Sequence, residues 1–472
     1  MEQKYDYGMI GLGTMGRNLV LNMGDHGYSV AGFDKDKTKA GALQKEAEQR
    51  KILGTSTLEA FIGALNTPRI IMLLVPAGAP VDAVINELKP LLSKDDLLID
   101  CGNSHFSDTD NRIATLAKDN IQFMGVGISG GEAGARFGPS IMPGGDKKAY
   151  ARVAAMFEAV SAKVDGKPCS AWMGNGSAGH YVKMVHNGIE YGLMQLIAEA
   201  YHMLKECTGM SNDELHEVFE KWNKGSLQSF LIEISAVNFA QKDDLGDGSL
   251  VDKILDKAKQ NGTGQWASQS AMDLFVPIPT IDSAVSSRDL SAMKDERVKA
   301  EKILDWHSVP FKGNKGELVD WLEGALTFSF ITAYAQGMAL MQHASEKYKY
   351  ELQPEVIATI WRGGCIIRAA LLEDITAAYT SEGNLANLMI NNTIAHKLMA
   401  AQDGMRLAVK TAVVAGIPAP AMMASLAYYD SYRRGWLPAN LIQAQRDFFG
   451  AHTYERADRE GTFHTQWNQK TN

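Results

Sequence analysis

The chain has 472 residues, 45% of them hydrophobic and 22% charged, with a formal net charge of −8. That length exceeds what one hydrophobic core organises, so two or three domains are expected. The mild acidity gives no support to nucleic-acid or anionic-membrane binding, and no apolar run reaches membrane-spanning length.

Residues 1 to 178 alternate short apolar runs with amphipathic segments. Tyr7–Ile10, Tyr28–Phe33, Ile70–Val75, Leu97–Asp100 and Ile121–Val126 read as strands. Met15–Asp25, Val81–Leu92 and Asp108–Lys118 read as helices. The alternation predicts a doubly wound, mostly parallel α/β sheet of the Rossmann type. The stretch Met1–Tyr7 is charged and runs straight into the first strand, without a signal-peptide pattern.

Gly11-Leu12-Gly13-Thr14-Met15-Gly16 follows the first strand and opens the first helix. That context is the one a dinucleotide fingerprint requires. Its glycines allow a tight turn and bring a pyrophosphate to the N–H groups of a helix N-terminus. The second strand ends in Gly32-Phe33-Asp34-Lys35-Asp36-Lys37. Asp34 is placed to accept hydrogen bonds from ribose hydroxyls and would oppose a 2′-phosphate, whereas Lys35 and Lys37 would attract one. Asp34 therefore favours NAD, or use of both NAD and NADP. The cysteines Cys101, Cys169, Cys207 and Cys365 are scattered without Cys-x-x-Cys spacing, which suits a reduced cytoplasmic setting and no zinc site.

After Gly176 strand-like runs vanish, and helical patterns dominate from 179 to about 435. Lys183, His186, Asn187 and Glu190 stand at i, i+3, i+4 and i+7 and so share one helix face. A solvated face is the ordinary reading of such a stripe. Here Tyr181, Val182, Met184, Val185, Ile189 and Leu193 leave little of the helix suited to water, so the stripe reads as a polar island on a buried helix. A buried lysine and glutamate must be paired, neutralised or used. The helical part also shows a weak internal duplication: 189–206 and 214–234 resemble 328–345 and 355–375, with Trp222 matching Trp361, 139 positions on (361 − 222). Shifted by that offset, the polar set becomes Leu322, Ala325, Leu326 and Ser329, the same element without the chemical groups. The segment 436–472 is polar and aromatic, with little helical period after Phe449; it is read either as disordered or as packing on another subunit.

Five stretches carry a resemblance to a known family: 98–104 (Leu-Ile-Asp-Cys-Gly-Asn103-Ser), 128–145 (Ile-Ser129-Gly130-Gly131 onward), 179–191, Gly262-Thr263-Gly264, and 445–453 (Gln-Arg446-Asp through His452-Thr). The chain is similar over practically its whole length to the long-chain 6-phosphogluconate dehydrogenases, decarboxylating enzymes of the pentose phosphate pathway. The resemblance implies a nucleotide domain over 1–178, an all-helical domain over 179–435, and a homodimer in which the 436–472 tail reaches the partner. It implies Lys183 as the base that removes the proton of the C3 hydroxyl while hydride leaves C3 for the nicotinamide, and Glu190 as the acid that protonates the enediol. It also implies substrate contacts from Asn103, Ser129, Gly130, Gly131, His186, Asn187, Tyr191, Arg288, Arg446, His452 and the Asn261 position. Nucleotide contacts are implied for the Gly11–Gly16 turn, Asp34, Lys35, Asp36, Val75, Ala77 and Asn103. No metal is implied.

Three places depart from the family pattern. Asp34-Lys35-Asp36 stands in place of Asn-Arg-Thr or Asn-Arg-Ser, so exclusive NADP use does not follow. Asn261 and Gln265 replace lysines around Gly-Thr-Gly, and Pro76 replaces a lysine beside the adenine. A non-decarboxylating β-hydroxyacid dehydrogenase would lack the duplicated half and the Arg446–His452 tail. A silent dinucleotide-binding scaffold would not need Lys183, Glu190 and the Ser129 turn together.

Overall fold

The computed structural model describes residues 4–304, 309, 311–383 and 385–467. Of the expected terminal segments, 1–3 and 468–472 lie outside those described. The first part builds a seven-stranded sheet from β1 (Tyr7–Ile10), β2 (Val30–Phe33), β3 (Ile52–Thr55), β4 (Ile70–Leu73), β5 (Leu97–Asp100), β6 (Gln122–Ser129) and β7 (Ser140–Gly144). The spatial order is β3-β2-β1-β4-β5-β6-β7, parallel throughout except for the antiparallel β6–β7 pair. Side chains alternate between two cores, one on each face. Met9, Val30, Met72, Leu97 and Ile99 enter one; Ile10, Ala31, Ile71, Leu73 and Leu98 enter the other. Burial on both faces is what helix-linked parallel strands require, and it makes them read as unbroken apolar runs.

The doubly wound α/β fold agrees with the expectation, with differences at strand level. β2 begins at Val30, β4 stops at Leu73 and β6 continues to Ser129. β3 and β7 carry too little local signal to be read from sequence. β3 is a four-residue edge strand, and β7 contains Pro143 and Gly144, residue types depleted from strands. Pairing with β6 supplies what local preference lacks.

The helical part centres on two long helices, Ala178–Thr208 and Lys315–Tyr348, which pack against each other. Each is followed by two shorter ones: Asn212–Trp222 and Phe230–Ala240 after the first, Pro354–Ile360 and Leu371–Ser381 after the second. Trp222 and Trp361 are both fully buried. The two halves meet at a reciprocal backbone bridge, where the Phe230 N–H donates to the Arg368 carbonyl (3.0 Å) and the Ala370 N–H donates to the Gln228 carbonyl (2.9 Å). Those partners are themselves near-equivalents under the 139-residue offset, as a local two-fold relation between repeats demands. Leu322, Ala325, Leu326 and Ser329 are fully buried, so the second copy of the stripe is packing.

Four glycines set how closely the Ala178–Thr208 helix approaches the sheet. A β-carbon at Gly127 of β6 would collide with the Lys183 side chain, one at Gly125 would stand 2.7 Å from the His180 ring, and Gly144 of β7 meets Gly179 backbone to backbone. This close approach carries the polar stripe to the end of β6.

The chain divides into two compact units, 1–425 and 426–472. The second contains a helix, Ala439–Gly450, and a short hairpin of Tyr454–Glu455 with Thr462–Phe463. Its hub is Asp447, whose carboxylate accepts from the Thr453 and Thr465 N–H groups (2.9 and 3.0 Å), His464 Nδ1 (2.8 Å) and Trp467 Nε1 (2.8 Å). Burial raises its pKa, but these donors outweigh burial and hold the carboxyl well below the usual range. The described part of the tail thus has regular structure of its own.

Candidate active site

At the end of β1 the backbone turns through Gly11 at φ +95°, where a β-carbon would strike the Leu74 carbonyl. Gly16 is pressed against the Gly11 carbonyl for the same reason, whereas Gly13 faces open space. Gly13 caps the helix Thr14–Asp25 without a side-chain hydrogen bond and with no acid in the first turn, so the first N–H groups remain available to an anion. Beside this turn lies a cavity of about 460 Å³ lined by Gly11, Gly13, Asp34, Lys35, Val75 and Pro76 among others. Leu12 itself is buried, Met15 is half-buried, and Thr14 and Ala77 are exposed. An apolar slot, a carboxylate at the ribose position and open helix N–H groups fit the adenosine half of a dinucleotide.

The acids beside the cavity are partly committed to the protein. Asp34 accepts the Leu12 N–H at 2.8 Å and the Asp36 N–H at 2.9 Å, and Lys39 lies 3.4 Å away. Asp36 caps the Lys37–Glu46 helix through the Thr38 N–H (2.9 Å), and the Thr38 hydroxyl and N–H together lower its pKa. Lys35 pairs with Glu87 at 2.6 Å. Glu87 and Lys39 were not foreseen, because nothing local to the second strand points to them.

Asn103 is exposed on the loop after β5. That loop is held by buried Asp100, which accepts from the Gly102 N–H (3.0 Å), the Ser104 hydroxyl (2.6 Å) and Arg112 Nη1 (3.2 Å). His180, in the first turn of the Ala178–Thr208 helix, contacts the Asp100 carbonyl through Nε2 at 3.1 Å. A carbonyl only accepts, so Nε2 carries the proton and Nδ1 accepts from the Thr109 hydroxyl (2.6 Å). The loop and the helix start are thus fixed to one another.

One turn further, the predicted stripe forms a network. Lys183 Nζ donates to Asn187 Oδ1 at 2.7 Å, and His186 Nδ1 lies 3.2 Å from the same oxygen. Asn187 Nδ2 donates to the Thr263 hydroxyl at 2.9 Å. With Nδ1 donating, His186 Nε2 accepts from the Ser129 hydroxyl at 3.3 Å. Glu190 Oε2 lies 3.8 Å from His186 Nδ1. His186 is fully buried, Lys183 is 7% exposed, and the Glu190 side chain retains 20% exposure.

Burial dominates the electrostatics. It lowers the Lys183 pKa, against the opposing pull of Glu190 and Cys365. It raises that of Glu190, against Lys183 and Arg288. His186 is pushed well below its ordinary value by burial and then by the Lys183 charge, so it is neutral. A lysine whose proton is held less tightly and a carboxyl whose proton is held more tightly, two helical turns apart, have the properties that a general base and a general acid require.

Gly130 and Gly131 follow Ser129 at φ +128° and +62°, a backbone that favours glycine. Gly130 caps the helix Gly131–Phe137 without a side-chain hydrogen bond, so the first N–H groups of that helix have no partner within it. Tyr191 lies against Gly264, where a β-carbon would come within 2.5 Å of its ring. Arg288 stacks on the Tyr191 ring, with Cζ 3.4 Å from its centroid, and its Nη1 donates to the Lys259 carbonyl at 3.3 Å. Asn261 is exposed. Arg446 and His452 belong to the second unit; Arg446 is exposed and donates to Gln443 (3.1 Å), and His452 packs edge-on to Phe449. Ser129, Lys183, His186, Asn187, Glu190, Tyr191 and Arg288 are therefore brought together, and Thr263 and Cys365 join them. Thr263 had a sequence signal in its Gly-Thr-Gly turn; Cys365, in a distant loop, had none. Among the described residues no group of three or more His, Cys, Asp or Glu side chains is arranged to hold a metal, and no helix is long and apolar enough to cross a membrane.

Residues 6–174 match the family model described as the NAD binding domain of 6-phosphogluconate dehydrogenase, and 179–467 match that of the 6-phosphogluconate dehydrogenase C-terminal domain. The chain is 52% identical over 464 residues to a decarboxylating 6-phosphogluconate dehydrogenase of Lactococcus lactis, covering 98% of each. It is 52% identical over 465 residues to an NADP(+)-dependent, decarboxylating one of Bacillus subtilis, covering 98% of this chain and 99% of that protein. The structure is similar to that of Plasmodium falciparum 6-phosphogluconate dehydrogenase, with a TM-score of 0.95 at 41% identity, covering 98% of this chain and all of that one. The chain belongs to the 6-phosphogluconate dehydrogenase family.

Proposed function

We propose that this chain oxidises and decarboxylates 6-phosphogluconate to ribulose 5-phosphate and carbon dioxide, using NADP or NAD. The observation that carries this reading is the buried Lys183–Asn187–His186 network with Glu190 beside it, its lysine and carboxyl shifted in opposite directions. Residues 1–178 hold the nucleotide, through the Gly11–Gly16 turn, Asp34 and Val75. Residues 179–435 hold the substrate, and 436–472 extend to a second copy.

Lys183 in its neutral form takes the proton of the C3 hydroxyl. A bound nicotinamide dinucleotide supplies acceptance of the C3 hydride. The resulting β-keto acid has its carboxylate at C1, two bonds from the new carbonyl. Protonated Lys183 gives its proton to that carbonyl oxygen as the electrons of the breaking C1–C2 bond move toward it, so carbon dioxide leaves and an enediol remains, whose enol proton Lys183 takes back as the ketone forms. Glu190 then protonates the carbon that lost the carboxylate. Each positioned proton transfer contributes roughly 10²–10⁴-fold in rate.

Ser129, Gly130 and Gly131 receive the substrate carboxylate, with His186 and Asn187 on the hydroxyls and Asn103 between substrate and nicotinamide. Arg288, stacked on Tyr191, donates to the phosphate, since a guanidinium fork matches phosphate oxygens. Arg446 and His452 complete that phosphate site from the partner's tail. The apolar face of the tail unit supports a second copy as its seat: Trp436, Leu441, Ile442, Phe448 and Phe449 are each more than half exposed.

Carbon dioxide release from 6-phosphogluconate, measured separately with NAD and NADP, tests the assignment; no turnover with either would sink it. Lys183→Ala is expected to abolish oxidation, and a variant that still reduces the nucleotide at wild-type rate would remove Lys183 from its role.

A further inference from the structure

The helix Ala79–Leu88 lends one face to the nucleotide cavity: Pro80, Ala83, Val84 and Glu87, at i, i+3, i+4 and i+7, all line it. Three of these are apolar, and the fourth is a carboxylate at the rim. The same cavity is lined by Asp34, Lys35 and Lys39. Each lysine already has a partner there, Lys39 with Asp34 at 3.4 Å and Lys35 with Glu87 at 2.6 Å. The ionised side chains lining the cavity are therefore two lysines and two carboxylates, and the rim carries no net charge. A free ribose 2′-hydroxyl meets no penalty in such a rim. A 2′-phosphate brings about two negative charges to it and finds no uncommitted cation among these four groups.

Resting on the reading of this cavity as the nucleotide site, we propose that Glu87 is a specificity-determining residue. By holding Lys35 it keeps the rim neutral, so that NAD enters without rearrangement, while NADP binds only by drawing Lys35 away. The side chains of Lys35 and Glu87 are 66% and 45% exposed, and ion pairs so open to water are weak. The pair is thus a bias rather than a lock. It grades the ratio of the two affinities and leaves both nucleotides usable.

Direct titration of the substrate-free protein with NAD and with NADP, by calorimetry, tests this. Glu87→Gln is expected to tighten NADP by about three- to tenfold, from removal of one nearby negative charge and release of Lys35, and to leave NAD within about twofold. The gain should shrink as salt rises, and adding Lys35→Ala to Glu87→Gln should cancel most of it. A parallel change in both affinities, or none in either, would overturn the role of Glu87 while leaving the cavity as the nucleotide site. Failure of the wild-type protein to bind either nucleotide would overturn that reading and this role together.

Discussion

Lys183 and Glu190 are chemically useful because of where they sit. On a solvated helix their ordinary values of 10.5 and 4.5 would leave both charged at neutral pH. Burial moves the two values toward each other, so the neutral-lysine, protonated-glutamate form is populated far more than it would be in water. The two groups interact and titrate as a pair. The rising limb of the kcat profile against pH should therefore lie below the ordinary lysine value and the falling limb above the ordinary glutamate value. Glu190→Gln gives a sharper check. The Glu190 charge holds the Lys183 proton on, so its removal should move the rising limb of hydride transfer to lower pH, as Lys183 sheds its proton more easily. Single-turnover formation of reduced nucleotide measures this, and an unshifted limb would contradict the coupling.

At the scale of elements, the site depends on how closely one helix approaches one strand. Gly127 is the position where β6 and the Ala178–Thr208 helix touch, at Lys183 itself. Gly127→Ala should force the helix outward. Overpacking of this kind costs about 1–3 kcal/mol, and a displacement near 1 Å can cost about 10²-fold in rate. The expected result is a protein that still binds nucleotide at the Gly11 turn, with kcat reduced by about two orders of magnitude and Tm lowered by a few degrees. Wild-type kcat in that variant would show that the close approach does not position Lys183. Nothing in the local pattern of β6 announced this contact, because it pairs residues 56 positions apart (183 − 127).

At the scale of the whole molecule, the proposal that the tail completes a partner's site makes a prediction no monomer can meet. Lys183→Ala and Arg446→Ala should each be nearly inactive alone. In hybrid dimers formed by mixing the two, one site receives both wild-type groups, as symmetry of a two-fold interface requires. Activity should reappear on mixing under conditions that exchange subunits; persistent inactivity would assign Arg446 to its own chain's site or to none. The duplication bears on the same scale. Two long helices of similar design form the centre of the first unit, and only one carries a lysine and a glutamate on this face. In the other, Leu322, Ala325, Leu326 and Ser329 fill the equivalent face with packing.

The sequence by itself determined the features written in local spacing: the alternating apolar runs of the sheet, the glycine turn after β1, and the face shared by Lys183, His186, Asn187 and Glu190. These are set by the period of a strand or helix, so a few neighbouring residues suffice to specify them. Only the tertiary structure decided which distant groups meet them. Thr263 and Ser129 became partners of the stripe, Glu87 took Lys35, Asp34 was tied to the Leu12 N–H, and β7 became a strand despite Pro143 and Gly144. Such pairings depend on how packed elements approach each other, and that approach is fixed by close contacts such as Gly127 on Lys183, which leave no periodic trace in the chain.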